Sequence, residues 1–376
     1  MEHGVFGGIG MKTVLIVFGT RPEAIKLAPL IKELSKRDCF RVRVCATGQH
    51  KELLRDAMRA FDLCADRELE VMEKGQSLTL MGAKLLSGME DLFSKEIPSA
   101  VLVQGDTASA FFGAIAAFQY KVPVCHVEAG LRTYRMDSPF PEELHRRAIS
   151  LLSTYHFAPT EEARRCLLGE GIDPANVFLT GNTVVDALHY SLKKTPTHAF
   201  PKTWQGRRLL ILTQHRRENL GEPIRAVFRA LRRIVEAHDD VIAVCPLHPN
   251  PSVRGIAAEI LNGVSRLHLI EPPETVSFHH LLSHAYLVIT DSGGIQEEAS
   301  ALGIPTLVTR EATERTEGVL AGVLRMVGSD EDGIVSLAER LLDPTSEEYR
   351  QMSVPSLVFG DGTASQRIAD ILEDKL

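Results

Sequence analysis

The sequence predicts an α/β protein made of two doubly wound domains, and three observations carry that prediction. Short apolar runs alternate with amphipathic segments along the whole chain. The runs are near-continuously apolar rather than alternating, as expected of strands covered on both faces of a parallel sheet. The series breaks once, near residue 200, in a chain of 376 residues that is long for a single core.

The first series contains "TVLIVFG" (13–19), "RVRVCATG" (41–48), "SAVLVQGD" (99–106), "VPVCHVEAG" (122–130), "YHFAPT" (155–160) and "VFLTGN" (177–182). Between the first two lies "EAIKLAPLIKELSKR" (23–37). There Ile25, Leu27, Ala28, Leu30, Ile31 and Leu34 form one helical stripe. The patch "SLKKTPTHAFPKTWQG" (191–206) carries two prolines and a glycine and reads as a linker. A second series follows: "RLLILTQH" (208–215), "DVIAVCPLH" (240–248), "RLHLIEP" (266–272), "AYLVITDSGG" (285–294) and "IPTLVTR" (304–310). The expected domains are 11–182 and 183–355. A last helix-like segment, "TASQRIADILEDKL" (363–376), suits either of them.

Composition excludes several classes. A net charge of -7 with 24% charged and 44% apolar residues describes an ordinary globular protein without a general nucleic-acid surface. The six cysteines show no CxxC or zinc-like spacing, and several sit in strand-like runs. Reduced core thiols of a cytoplasmic protein are expected, with no metal and no cofactor. No apolar run reaches the ~18 residues of a membrane helix. Residues 1–10, "MEHGVFGGIG", lack a basic stretch followed by an apolar one; they are read as a disordered extension ahead of a second methionine, Met11.

In doubly wound sheets, ligands bind beyond the carboxyl ends of the strands, here expected to face a cleft between the domains. After the first strand, in "FGTRPEAIK", Gly19 suits a turn, Thr20 a cap, and Pro22 and Glu23 a first helical turn. Arg21 and Lys26 oppose the helix dipole there unless an anion is bound. After the third strand, Asp106 is more than capping needs, since Thr107 serves as a cap. In the second series His215, Arg216 and Arg217 cluster at one strand end and His248 at the next. A surface basic patch is the plain alternative, but a His-Arg pair at a cleft suits a phosphate or a phosphate leaving group. In "TDSGGIQEEA", Ser292, Gly293 and Gly294 open a helix whose N–H groups suit a diphosphate, and the following carboxylates suit ribose hydroxyls. Neither GxGxxG nor a P-loop is present, which argues against a dinucleotide or ATP site. The loop "HVEAGLRTYRMDSPFPEELHRR" (126–147) sets Glu128 before, and Glu142 and Glu143 after, a stretch with two prolines and several arginines. Capping with surface charge, or acid/base chemistry, explains that arrangement.

Taken together, "FGTRPEAIK", "QGDT", "HVEAGLRT", "SPFPEE", "FLTGNTVVDAL", "HRREN", "TDSGGIQEEA" and "GDGTASQRI", in this order, resemble the non-hydrolysing UDP-N-acetylglucosamine 2-epimerases from Met11 to the C-terminus. The resemblance implies a B-type glycosyltransferase-like fold, with the C-terminal helix (356–376) returning to the N-terminal domain. It implies reversible conversion of UDP-GlcNAc to UDP-ManNAc, UDP as a bound species, and a homodimer. Carried over by motif, Asp106, Glu128, Glu142 and His215 are the catalytic set. Arg21, Lys26, Arg132, Ser292, Gly293, Gly294 and Glu298 meet the UDP-sugar, although Arg132 is equally readable as holding the two glutamates charged. Gln49, His50, Gln76, Arg216 and His248 match an allosteric UDP-GlcNAc site of regulated members. The chain departs from the family pattern at His145, where Asn is usual, at Gln214, where Gly is usual, and at Gly75, where some regulated members have Arg. A B-type glycosyltransferase, a hydrolysing relative and a UDP-sugar sensor are the rival readings.

Overall fold

The computed structural model describes residues 11–48, 51–73, 75–197, 200–204, 206–214 and 219–376. Its contacts divide the chain into two compact units, one reaching Ala187 and including Gly362–Leu376, the other Leu188–Asp361.

Among the described residues, unit 1 holds a seven-stranded sheet of β1 (Lys12–Phe18), β2 (Phe40–Ala46), β3 (Arg67–Glu68), β4 (Ala100–Gln104), β5 (Val124–Val127), β6 (Tyr155–Ala158) and β7 (Val177–Leu179). The strand order is β3-β2-β1-β4-β5-β6-β7 and every pair is parallel. Its helices are α1 (Arg21–Leu34), α2 (Lys51–Ala60), α3 (Leu78–Phe93), α4 (Ala108–Gln119), α5 (Glu142–Leu152), α6 (Glu161–Gly169) and the start of α7 (Thr183–Leu192). Unit 2 holds a six-stranded parallel sheet of β8 (Arg208–Thr213), β9 (Val241–Pro246), β10 (Leu267–Ile270), β11 (Leu287–Thr290), β12 (Thr306–Val308) and β13 (Leu324–Met326). The order there is β10-β9-β8-β11-β12-β13. Its helices are α8 (Glu222–Ala237), α9 (Pro251–Leu261), α10 (Thr275–Ser283), α11 (Gly293–Leu302), α12 (Thr316–Leu320), α13 (Glu331–Leu342) and α14 (Glu347–Met352); α15 (Ala364–Lys375) closes the chain.

The predicted fold class is therefore correct, and two strands were missed. β3 has two residues and β13 three, both at sheet edges, too short for any periodicity to register. The helix expected over 23–37 spans Arg21–Leu34. Thr20 and Glu23 close its N-terminus as a capping box, and its apolar stripe is buried apart from the partly exposed Ile25. One face of the unit 1 sheet packs Ile16, Phe18 and Leu102 against Leu27, Leu30 and Leu34 of α1 and against Ile368, Ala369 and Leu372 of α15. The other packs Val17, Val101 and Val103 against Met89 and Phe93 of α3 and Ala110, Ala114 and Ala117 of α4. Unit 2 builds its core between β8–β9 and α8, with α13 alongside.

The sequence boundaries after 182 and 355 shift to Ala187 and Asp361. Asp186 explains the first shift. Its carboxylate is buried and accepts from Ala364 N–H at 3.2 Å and Ser365 N–H at 2.7 Å, which ties α7 to the first turn of α15. Arg37 adds ion pairs to Asp370 and Glu373, and Arg367 donates to Thr180 O at 3.0 Å. Burying Ile368 and Leu372 contributes about 1.5–3 kcal/mol each, more than the exposed ion pairs. Among the described residues no helix is long and apolar enough to cross a membrane.

Candidate active site

Both sheets change winding direction once, between β1 and β4 in unit 1 and between β8 and β11 in unit 2. At such a switch point the loops leaving adjacent strands diverge and a ligand fits between them. Arg21 and Lys26 follow β1, Asp106 follows β4, and Ser292, Gly293 and Gly294 follow β11, at these points.

In unit 1, the turn after β1 is organised by Glu23. Its carboxylate, almost fully buried, accepts from Gly19 N–H, Thr20 N–H and the hydroxyls of Thr20 and Thr107 at 3.0, 2.8, 2.7 and 2.6 Å. Burial still pushes Glu23 up to about 7, against the pull of those donors. Lys26, one turn on, does not wait for a ligand anion. Its ammonium pairs with Glu128 Oε2, which also accepts from the Gln104 side-chain amide. Glu128 sits at φ 63, a left-handed conformation that costs a non-glycine residue about 1–3 kcal/mol and is retained where the surroundings over-determine it. Gln104, the last residue of β4, was not picked out in the sequence. Its only signal was a polar side chain closing an otherwise apolar strand.

Asp106 follows β4 and is gripped from α5. Arg146 Nε donates to its Oδ2 at 2.7 Å, and His145 Nδ1 lies 2.8 Å from its main-chain carbonyl. Burial holds the His145 imidazole below its ordinary pKa. Glu142, at the first position of α5, is half-buried, and its Oε2 is buried without a hydrogen-bond partner. Its neighbour Glu143 differs entirely. It is fully buried, accepts from Thr133 N–H at 3.0 Å and Tyr134 N–H at 3.1 Å, and contacts Arg146 Nη1 at 3.4 Å. It thus fixes the proline loop, a stronger role than the helix-end charge expected of it.

Arg132 has a different partner from either expected one. Its side chain is fully buried, with Nε and Nη2 on the two oxygens of Glu170 at 2.8 Å each, Nη2 also on Ser150 Oγ at 2.8 Å, and Nη1 on Leu131 O at 2.9 Å. Its hydrogen bonds go neither to Glu128 nor to Glu142. Arg21 is partly exposed at the first position of α1.

In unit 2, Asp291 is fully buried after β11 and takes Asn219 Nδ2 at 3.1 Å; Asn219 also reaches Gln214 Oε1 at 3.4 Å and Thr309 O at 3.3 Å. Gln214 in turn donates to Thr309 Oγ1 at 2.5 Å, which accounts for the departure at that position. Ser292 caps α11 by position but makes no side-chain cap bond. Gly293 packs against the Arg315 guanidinium: a Cβ there would lie 2.7 Å from Arg315 Cζ, whereas the same position on Gly294 is open. Arg315 pairs with Glu297 at 2.8 Å and Glu314 at 3.4 Å, so a buried guanidinium lies against the first turn of α11. Sequence reasoning missed Arg315, which sits far along the chain from the glycine turn. Glu298 is buried with His279 Nε2 3.4 Å from its Oε1.

Of the remaining expected residues, Gln76 bonds Glu73 N–H through Oε1 at 2.8 Å and leaves Nε2 buried without a partner. His248 Nδ1 accepts from Asn250 N–H at 3.2 Å. Gln49, His50, His215 and Arg216 lie outside the described residues.

Comparison with known proteins bears on this arrangement. A family model described as UDP-N-acetylglucosamine 2-epimerase matches residues 32–373. The chain is 45% identical over 360 residues to the UDP-N-acetylglucosamine 2-epimerase of Bacillus subtilis, covering 96% of this chain and 94% of that one. It is 43% identical over 367 residues to that of Neisseria meningitidis, covering 96% and 98%. The solved N. meningitidis enzyme bound to UDP-GlcNAc superposes with a TM-score of 0.90 at 42% identity, covering 96% of this chain and 100% of that one. The S. aureus MnaA–UDP structure gives 0.90 at 40%, covering 97% of each. Acinetobacter baumannii MurG, at 13% identity and a TM-score of 0.60 over 96% of this chain and 99% of that one, shares the fold alone. On the extent of these matches, the chain belongs to the UDP-N-acetylglucosamine 2-epimerase family.

Proposed function

We propose that this chain is a non-hydrolysing epimerase that interconverts UDP-GlcNAc and UDP-ManNAc. The observation that supports this best is the grouping in unit 1. Asp106 and Glu128 leave the paired strands β4 and β5, and the helix that opens with Glu142 grips Asp106. A glycosyl transfer needs no such set, whereas moving a proton on and off two faces of one carbon needs two placed groups.

Carbon 2 of the sugar carries hydrogen and an acetamido group with no adjacent carbonyl, so its proton is not acidic enough for direct removal. The route we infer breaks the C1–O bond, with its electron pair leaving on UDP, while a carboxylate takes the carbon 2 proton. The products held in the site are 2-acetamidoglucal and UDP. The UDP oxygen then re-forms the C1–O bond while a carboxylic acid protonates carbon 2 on the opposite face. Negative charge grows on the diphosphate. The N–H groups of Ser292, Gly293 and Gly294, with Arg315 behind them and with His215, are assigned to receive it, and each preorganised donor contributes roughly 3–4 kcal/mol. Glu298 is assigned to the ribose. Arg132 is reassigned from substrate contact to holding the loop through Glu170. No cofactor or metal enters this route.

The test is incubation with UDP-GlcNAc alone in deuterated water. UDP-ManNAc carrying deuterium at carbon 2 is expected. Absence of exchange there, with UDP-GlcNAc consumed only in a parallel incubation containing an acceptor, indicates a glycosyltransferase, and free ManNAc with UDP a hydrolysing enzyme; either result overturns the proposal.

Three further parts of the reading go with it. Leu78 and Leu80 of α3, Phe118 of α4 and Leu144 and Leu151 of α5 are exposed apolar side chains on neighbouring helices, which supports a homodimer, testable by sedimentation. A second UDP-GlcNAc acting through Gln49, His50, Gln76, Arg216 and His248 would make the UDP-ManNAc reaction stall without added UDP-GlcNAc. A cytoplasmic enzyme supplying ManNAc units to surface polysaccharide is the setting this substrate implies.

A further inference from the structure

Two consecutive residues of α5 hold Asp106 from different sides. His145 lies 2.8 Å from its main-chain carbonyl through Nδ1, and Arg146 Nε reaches its carboxylate at 2.7 Å. The carbonyl is only an acceptor, so the imidazole proton sits on Nδ1. The ring is buried and stacks on Phe111 of α4, centroids 4.6 Å apart and 17° from parallel, which fixes its plane. Arg146 in turn contacts Glu143, the residue that pins the Thr133–Tyr134 turn. Glu142 is three residues before His145 and four before Arg146 on the same helix, and three- and four-residue spacings share a face.

We propose that His145 and Arg146 are positioning residues for the epimerisation: they clamp Asp106, main chain and carboxylate, in fixed relation to Glu142 on the same helix. The proposal rests on the reading given under Proposed function. The charged groups facing His145 are Asp106 from the β4–α4 loop and Glu142 and Arg146 from its own helix; α4 brings only the Phe111 ring. Burial keeps the imidazole neutral near pH 7. Protonation at Nε2 leaves the Nδ1–H bond to the carbonyl in place, so the clamp is set by geometry.

The test uses the full chain with UDP-GlcNAc in deuterated water. His145→Asn keeps an N–H donor at the Nδ1 position but cannot titrate. Its kcat is expected to exceed that of His145→Ala, since the retained N–H still reaches the Asp106 carbonyl. His145→Ala and Arg146→Lys should each lower kcat by at least about tenfold with UDP affinity unchanged, and should release more glucal per turnover because reprotonation is misaligned. A kcat for His145→Asn no higher than that of His145→Ala overturns the hydrogen-bond part, and a wild-type kcat in His145→Ala overturns the clamp. Should His145→Ala not fold, Arg146→Lys carries the same test. Failure of the epimerase reading is separately visible, as no carbon 2 exchange in the wild-type protein.

Discussion

His126 of β5 and His156 of β6 are register partners in the parallel sheet, and both are almost completely buried. His126 donates Nε2–H to Gly105 O at 2.8 Å, the residue just before Asp106, and its Nδ1 has no partner. Burial pushes His126 down to about 3 and His156 to about 4, with Arg132 adding to both effects. The unfolded chain titrates near 6.5, so below that pH it binds protons the native state refuses, and stability falls as pH drops from about 6.5 towards 4 and 3. At pH 5 an unfolded histidine is nearly all charged and His126 nearly all neutral, which costs the fold about 2 kcal/mol; at pH 7.5 the same cost is about 0.1 kcal/mol. Glu23 has the opposite sign, since a folded pKa of about 7 makes the native state the better proton binder as pH falls to 4.5. The wild-type pH dependence alone therefore does not isolate the histidine.

A variant does. His126→Gln keeps an Nε2-type donor for the Gly105 carbonyl and cannot be protonated, while Glu23 and His156 titrate equally in both proteins. Between pH 7.5 and 5 the wild type should lose about 2 kcal/mol more than the variant, a roughly 30-fold change in their ratio of protection factors. Hydrogen exchange of peptides covering β4–β6, read for both proteins at each pH, measures that ratio with intrinsic exchange cancelled and without unit 2 contributing. A ratio constant within about twofold across the window would falsify the claim that buried, neutral His126 is part of what holds the Asp106 turn.

Three other perturbations separate chemistry from packing. Asp106→Asn should lower turnover by at least about 10² while UDP binds within a few-fold of normal, and near-normal turnover removes Asp106 from the proton transfers. Gly130 has φ 93, and a Cβ on it would lie 2.2 Å from Ala163 O, so Gly130→Ala should destabilise unit 1 by about 3 kcal/mol or more in urea denaturation followed by far-UV circular dichroism; an unchanged midpoint contradicts the geometry. Arg315→Ala takes from the buried Glu297 the guanidinium 2.8 Å away, while Glu314 keeps Arg310 at 2.9 Å, and unit 2, reported by the single tryptophan Trp204, should lose about 3–5 kcal/mol.

What was readable in the sequence was what is local. Strands and helices announce themselves through periodicity over a few turns, and the sites follow because the carboxyl end of a strand is a position in the chain as well as in space. Partners across the chain were not readable. Lys26 was correctly seen as a cation lacking a reason at a helix N-terminus. The anion it meets is Glu128, 102 residues away, at the end of a strand that only the sheet order places nearby. Arg132 meets Glu170 across 38 residues for the same reason, and Gly293 lies against the guanidinium of Arg315. Each is a long-range pairing that no propensity or spacing encodes. The sequence reading of residues after strand β8 remains as it was, since His215 and Arg216 are outside the described residues.

Glu142 and Glu143 make the limit concrete. Adjacent, identical and in the same first helical turn, they invite one explanation, and helix-dipole complementarity would serve for both. A helix turns about 100° per residue, so the two point to different surroundings. Glu143 is enclosed and holds two backbone N–H groups of the proline loop, whereas Glu142 keeps an oxygen with nothing bonded to it. Removing charge from each should therefore fail in different ways. Glu143→Gln exchanges one acceptor oxygen for a donor facing an N–H group, which orphans a buried N–H at about 1–3 kcal/mol and loosens residues 133–134. Its melting temperature should fall, and turnover with it. Glu142→Gln breaks no hydrogen bond seen in the fold, so stability should stay within about 1 kcal/mol while turnover drops by at least about 10². Calorimetry and turnover measured on the two variants give a double dissociation. Were Glu142→Gln the less stable protein, or Glu143→Gln fully stable and merely inactive, the division of labour between the two carboxylates would have to be reversed.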